Sequence, residues 1–189
     1  MGALPKEERT FTYADYKEWE LKEGERYELI YGEAYAMAAP NARHQEILSF
    51  FNYKFYEFLQ GKPCKVYPAP YDVRLFYEED ESDDTVVQPD ISVLCDAAKR
   101  GKEGCRGTPD LVIEILSPSN TAIEMQKKLD LYRNAGVREY WVVDPENKKI
   151  HAYNFSNDKI SSDIYNDTGI MPVAIFPELK IPLEQVFAE

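Results

Sequence analysis

Cysteine is scarce and poorly spaced for chemistry. Cys64, Cys95 and Cys105 are the only three, no two form a C-x-x-C pair, and an odd count argues against a disulfide framework or a structural zinc site. Three reduced thiols are expected, with Cys95 packing at the end of a strand. Long apolar runs are also missing: charge interrupts every hydrophobic stretch within a few residues, which excludes a membrane-spanning helix. The first ten residues carry Lys6, Glu7, Glu8 and Arg9 where a secretory signal needs an apolar segment, so the cytoplasm is the expected compartment. Positive charge is short as well. Lys and Arg number 22 against 34 Asp and Glu, a net charge of −12. Proteins that grip nucleic acid through its phosphates carry basic patches. Any nucleic-acid binding by this chain has to be local, metal-assisted or weak.

What is present describes an ordinary folded protein. A chain of 189 residues, 44% hydrophobic and 30% charged, is long enough for one domain with a proper core and too apolar for disorder. It shows no repeats and no linker, so one domain over residues 1–189 is expected. Thr12 is placed to cap a short helix. Two alternating runs meet at Tyr31-Gly32, the mark of an N-terminal hairpin. Asn41 then caps a helix running to about Gln60, whose stripe of Ile47, Phe51, Phe55 and Phe58 or Leu59 reads as core. Pro68 and Pro70 bend the strand that follows. The acidic run from Glu78 to Asp84 lacks the glycine and terminal glutamate of a calcium loop and reads as solvated. Strands are expected over Val86–Leu94 and Leu111–Leu116, then a helix capped by Ser119 or Asn120 and stopped by Gly136. A C-terminal hairpin turns at 145–148, and the tail suggests one more strand with a closing turn. This order predicts a mixed sheet with helices on its faces.

The residues that most need a reason are Asp90 and Glu114. Both stand inside β-branched runs of the kind that build buried strands, where an unpaired charge costs several kcal/mol. Spacing decides which acids can cooperate. Asp110 and Glu114 are four apart on one strand, roughly 13 Å at the usual rise, whereas neighbouring strands lie only about 5 Å apart. Asp90 level with Glu114 would therefore make one pocket, and Asp110 reads as a strand start. On the following helix Lys128 lies about 60° from the stripe of Met125, Leu129 and Tyr132, and Lys127 falls on the water side. Lys128 can lean toward the sheet, or it can simply pair with Glu124 one turn earlier. Two carboxylates with a lysine suit a hard divalent cation such as Mg²⁺, with the lysine neutralising charge on a reacting phosphate.

Several segments in order carry a resemblance. They are Tyr27-Glu28-Leu29-Ile30-Tyr31-Gly32-Glu33, Gln88-Pro89-Asp90-Ile91-Ser92-Val93, Pro109 to Ser119, Lys128-Leu129-Asp130-Leu131-Tyr132, and Gly136 to Pro145. From about Tyr13 onward the chain is similar to the Uma-two family of candidate endonucleases, formerly a domain of unknown function, in the PD-(D/E)XK restriction-endonuclease-like superfamily. The resemblance implies an α/β (α+β) fold, with a mixed central sheet flanked by helices and a hairpin at each end. It implies a Mg²⁺- or Mn²⁺-dependent DNA endonuclease with Asp90, Glu114 and Lys128 as its catalytic set. Asp90, Glu114 and the backbone carbonyl of Ile115 would hold the metal, and Glu28 and His44 would support the site. On its own, His44 in a helix's first turn reads as solvated or locally hydrogen-bonded. A homodimer is the assembly allowed for. Leu116 stands where such nucleases carry their lysine, which moves that role to the next helix. Two other readings stay open: a non-catalytic binding or scaffold protein of the same fold, and a small-molecule phosphodiesterase, which an acidic surface would not hinder.

Overall fold

The computed structural model of the chain describes residues 10–19, 22–118, 121–155 and 160–188. Helix α1 (Tyr13–Lys17) begins at Thr12, whose hydroxyl takes the Asp15 amide while the Asp15 carboxylate takes the Thr12 amide, a closed capping box. Strands β1 (Tyr27–Ile30) and β2 (Glu33–Ala36) form the N-terminal hairpin. Tyr31 and Gly32 sit at φ 50° and 78°, the two positive angles a tight type I′ connection requires. Asn41 caps α2 (Ala42–Phe58) by accepting the His44 amide, and the Ile47-Phe51-Phe55 stripe is buried, with both phenylalanines against Trp141.

The chain continues through β3 (Lys65–Pro68), β4 (Val73–Arg74), β5 (Val86–Val87), β6 (Ile91–Leu94), β7 (Cys105–Arg106) and β8 (Leu111–Ile115). Helix α3 (Ala122–Ala135) crosses from β8 to β9 (Glu139–Asp144), followed by β10 (Lys149–Asn154), β11 (Ser161–Tyr165), β12 (Ile170–Val173), β13 (Phe176–Pro182) and α4 (Leu183–Val186). A six-stranded sheet has the order β11-β10-β9-β8-β6-β3, a five-stranded sheet β2-β1-β5-β4-β7, and β12 pairs with β13. The six-stranded sheet is mixed: β8 and β9 run parallel, which needs the α3 crossover, and their other neighbours are antiparallel. One of its faces packs on α2 and the C-terminal segment, with Ile91, Ile113 and Ile115 among the buried contacts. The other packs Val112 and Leu94 against Leu131 and Tyr132 of α3 and Val73 and Val87 of the five-stranded sheet. No helix among the described residues is long and apolar enough to cross a membrane.

Several local expectations are corrected. Val86–Leu94 is two strands in two sheets, because Pro89 has no N–H to continue a ladder and the chain changes sheets across Gln88-Pro89-Asp90. The Ser119 or Asn120 cap lies outside the described residues. The cap of α3 is Thr121, with Glu124 closing its capping box, and Gly136 ends the helix at φ 87°. The tail forms β11, β12, β13 and α4 where one strand was expected. β11 is an exposed edge with almost no buried side chain, so it leaves no apolar alternation to read. The expectation of three reduced thiols fails: Cys64 and Cys95 form a disulfide. Pairing of Lys65 with Leu94 brings the two residues just outside those strands face to face. Cys105 is free and buried. Nor is the acidic run solvated throughout. Asp83 is buried and accepts from the Arg74 guanidinium, which is stacked between Tyr13 and Tyr77.

Candidate active site

The point where the chain changes sheets puts Asp90 at the mouth of β6. Register runs Ser92↔Val112 and Ile91↔Ile113; Asp90 and Glu114 are each the next residue beyond that last pair, and both line one cavity. Pairing between β6 and β8 stops at Ile91, and the Asp90 side chain takes over: its Oδ2 accepts the Ile115 amide at 2.7 Å. The same oxygen lies 3.1 Å from Nε2 of His44. His44 is buried, and its imidazole bonds outside its own helix rather than locally.

Glu114 is the one residue of β8 that is not fully buried. Its Oε1 accepts from Lys128 Nζ at 2.8 Å and from the Tyr132 hydroxyl at 2.5 Å. Lys128 also donates to Oε1 of Glu28 at 3.0 Å, and that oxygen takes the Gln88 amide at 3.0 Å. Lys128 does not pair with Glu124, whose carboxylate is engaged at the helix cap. Lys127 is exposed and reaches the Tyr35 hydroxyl. Asp110 stands apart, accepting the Cys95 amide and pairing with Arg138. The structure thus brings Asp90, Glu114, Lys128, Glu28, His44 and Ile115 together.

Two participants were hidden in the sequence. Tyr132 reads as an apolar-stripe residue, yet it is one helical turn after Lys128 and so on the same face. That spacing was the available signal. Gln88 contributes a backbone amide, which no side-chain pattern can reveal.

The electrostatics follow from burial. Loss of solvent pushes the Glu114 carboxyl up to about 7; Lys128 pulls it down, and the charges of Glu28 and Asp90 push it further up. Burial works against the Lys128 ammonium, but the two facing glutamates outweigh it and hold its proton above the ordinary lysine range. For His44 burial also opposes protonation, while the bond to Asp90 and the charges of Asp90 and Glu114 raise its pKa above the usual value. Burial, then the neighbouring Glu114 charge, keeps the Tyr132 phenol protonated.

These groups floor a cavity of ≈ 470 Å³ walled by the β1–β2 hairpin and α3. Three cations line it, Arg26, Lys127 and Lys128, against four carboxylates, Glu28, Asp90, Glu114 and Glu124. Oδ1 of Asp90 and Oε2 of Glu114 have no hydrogen-bond partner among the described residues. The Leu116 amide bonds to Val143, so the Ile115 N–H and carbonyl point the other way, toward Asp90 and His44. Asp90, Glu114 and Ile115 all line this cavity, and carboxylate and carbonyl oxygens are the donor type a small divalent cation takes. Among the described residues no group of three or more His, Cys, Asp or Glu side chains is placed to hold a metal ion by itself. Two carboxylates and a carbonyl are few donors, the number that suits an ion keeping several of its waters, as Mg²⁺ does.

A family model described as "Putative restriction endonuclease", Uma2, matches residues 13–184. An uncharacterized protein of Synechocystis sp., slr1290, is 28% identical over 145 residues, covering 76% of this chain and 74% of its own. The crystal structure of a putative nuclease belonging to DUF820 from Anabaena variabilis superposes with a TM-score of 0.74 at 20% identity, over 94% of this chain and 98% of that one. The shared architecture is a nuclease-like mixed α/β fold.

Proposed function

Because the chain belongs to the Uma2 family of putative restriction endonucleases, we propose that it is a divalent-metal-dependent DNA endonuclease acting as a single domain over residues 1–189. One observation carries this reading. Asp90 and Glu114, from strands that enter the site from opposite directions, present open oxygens beside Lys128 at the floor of one cavity. Asp90, Glu114 and the Ile115 carbonyl would hold Mg²⁺ or Mn²⁺. When bound, such an ion polarises a phosphodiester and lowers the pKa of a water.

The chain's own groups do the rest. Asp90 is fixed by the Ile115 amide and by His44, so its remaining oxygen is aimed rather than mobile. Tyr132 and Lys128 hold one oxygen of Glu114 and leave the other directed to the cavity. Lys128 stays charged and meets the negative charge that builds on the phosphate oxygens during displacement. Glu28 keeps the ammonium in place.

Supercoiled plasmid incubated with the protein and millimolar Mg²⁺ or Mn²⁺ tests the reading. Nicked and linear products from the wild type, absent with Asp90→Ala and with chelator, are expected. An intact plasmid with both metals, or cleavage that survives Asp90→Ala, would end it.

A further inference from the structure

The cavity poses a question that cleavage alone does not answer: how an acidic protein holds a polyanion. Duplex DNA is normally gripped through many phosphate contacts, each made by a cation. This chain carries −12 overall, and even the cavity has fewer cations than carboxylates. What the cavity offers instead is apolar and aromatic wall: Ile30, Tyr35 and Met37 from the hairpin side, with Leu116 just past β8 and Met125 on α3. Tyr35 is held in place from two directions. Its hydroxyl contacts Glu33, Lys127 Nζ approaches the same oxygen at 3.2 Å, and that ammonium lies 5.3 Å from the ring centroid.

We propose that this cavity takes an unpaired nucleotide, its base stacked on Tyr35 and its phosphate at Asp90 and Glu114, so that the substrate is a single-stranded or locally unpaired segment. The proposal rests on the nuclease reading for what is done to the strand, but not for how the strand is held. Base stacking on an aromatic ring is indifferent to net charge and to sequence, because every base has a π face. A volume of ≈ 470 Å³ lies within the range of pockets that enclose one small-molecule-sized group. A paired base, locked in its stack, cannot enter. Arg26 and Lys127 are cations enough for one or two phosphates beside the reacting one, and a bound divalent ion would reverse the cavity's small negative excess.

Binding and cleavage separate the two claims. Fluorescence anisotropy of a 5′-fluorescein dodecathymidylate is measured in Ca²⁺, in single-stranded form, annealed to its complement, and as a ribo-oligomer of the same sequence. The single strand is expected to bind at least tenfold tighter than the duplex, with a shallow salt dependence equal to one or two phosphate contacts. Tyr35→Ala should weaken the single strand about tenfold or more, and Tyr35→Phe, which keeps the ring, should not. Equal binding of the ribo-oligomer assigns the site to unpaired strands of either sugar, and a DNA preference restricts it to DNA. Both outcomes support an unpaired nucleotide. Duplex binding as tight as single-strand binding, a steep salt slope, or no effect of Tyr35→Ala overturns it. Cleavage of duplex and single strand at equal, Asp90-dependent rates would also overturn it while leaving the nuclease intact. Tight single-strand binding without cleavage would sink the nuclease reading and leave this one standing.

Discussion

Lys128 Nζ stands 2.8 Å from Glu114 Oε1 and 3.0 Å from Glu28 Oε1. Glu114 belongs to the six-stranded sheet and Glu28 to the five-stranded one, so a single ammonium joins the two sheets at the floor of the cavity. Replacing it has a structural and a chemical consequence.

Lys128→Ala is expected to lower kcat on the order of 10²- to 10³-fold, the loss seen when one electrostatic stabiliser is removed. Lys127→Ala, at saturating substrate, should leave kcat nearly unchanged and act on affinity instead, since that side chain is exposed and contacts Tyr35 rather than Glu114. The two residues carry the same charge, so bulk electrostatics treats them alike and only position separates them. Single-turnover rates of both variants decide the matter, and equal losses would assign the lysine pair to solvated charge.

Metal should raise thermal stability. An ion that binds only the folded chain stabilises it by about 2.7 kcal/mol at a hundredfold excess over Kd. Melting curves in Mg²⁺ or Mn²⁺ should shift upward for the wild type, and Asp90→Asn should remove most of the shift. The same melting temperature with and without metal would contradict the proposed donor set.

The raised Glu114 pKa sets a pH dependence with a definite sign. Its proton must leave before an ion can bind, so Ca²⁺ affinity by calorimetry should fall up to about tenfold per pH unit below about 7 and flatten above it. The metal-free protein behaves in the opposite sense. A carboxyl whose folded pKa lies above its ordinary 4.5 contributes most when protonated, and that contribution is lost as pH rises toward about 7. Glu114→Gln should flatten this part of the stability profile relative to wild type.

Tyr132→Phe removes the hydroxyl that donates to Glu114 at 2.5 Å and keeps the buried ring. A lost bond to a charged group costs roughly 1–3 kcal/mol, read from urea denaturation. With one donor fewer, the Glu114 proton should be held to a higher pH, moving the Ca²⁺-binding midpoint upward. A stability loss with an unmoved midpoint would reduce Tyr132 to packing.

How much of this could be read beforehand depended on whether a residue broke its local pattern. Asp90 and Glu114 did, as carboxylates in β-branched runs; strand spacing allowed them one pocket if their strands paired in that register, and it set Asp110 too far from Glu114. Helical geometry separated Lys128 from Lys127, because an α-helix converts a one-residue step into about 100°. Tyr132 broke no pattern, since a tyrosine in an apolar stripe looks like core and is core. Its second use lies in one hydroxyl. For Lys128 two roles stayed open in the sequence: Glu124 was the near partner along the helix, while Glu114 and Glu28, the latter a hundred residues away, are near in space. Sheet membership was the least legible feature. Val86–Leu94 looks continuous because both halves are buried, and only Pro89 hints that the hydrogen-bond ladder changes partners there.

The early end of the β6–β8 ladder restricts how this chain can vary. Past Ile91 and Ile113 the strands are linked by the Asp90 side chain on the Ile115 amide, and that link exists in one register only. Adding or deleting a single residue in either strand turns every following side chain to the opposite face. Asp90 and Glu114 would then point to opposite sides of the sheet, however well the strands still paired. The short stretches from Asp90 to Leu94 and from Leu111 to Ile115 are therefore fixed in length, even where a residue other than Asp90 or Glu114 could be exchanged for another of similar shape.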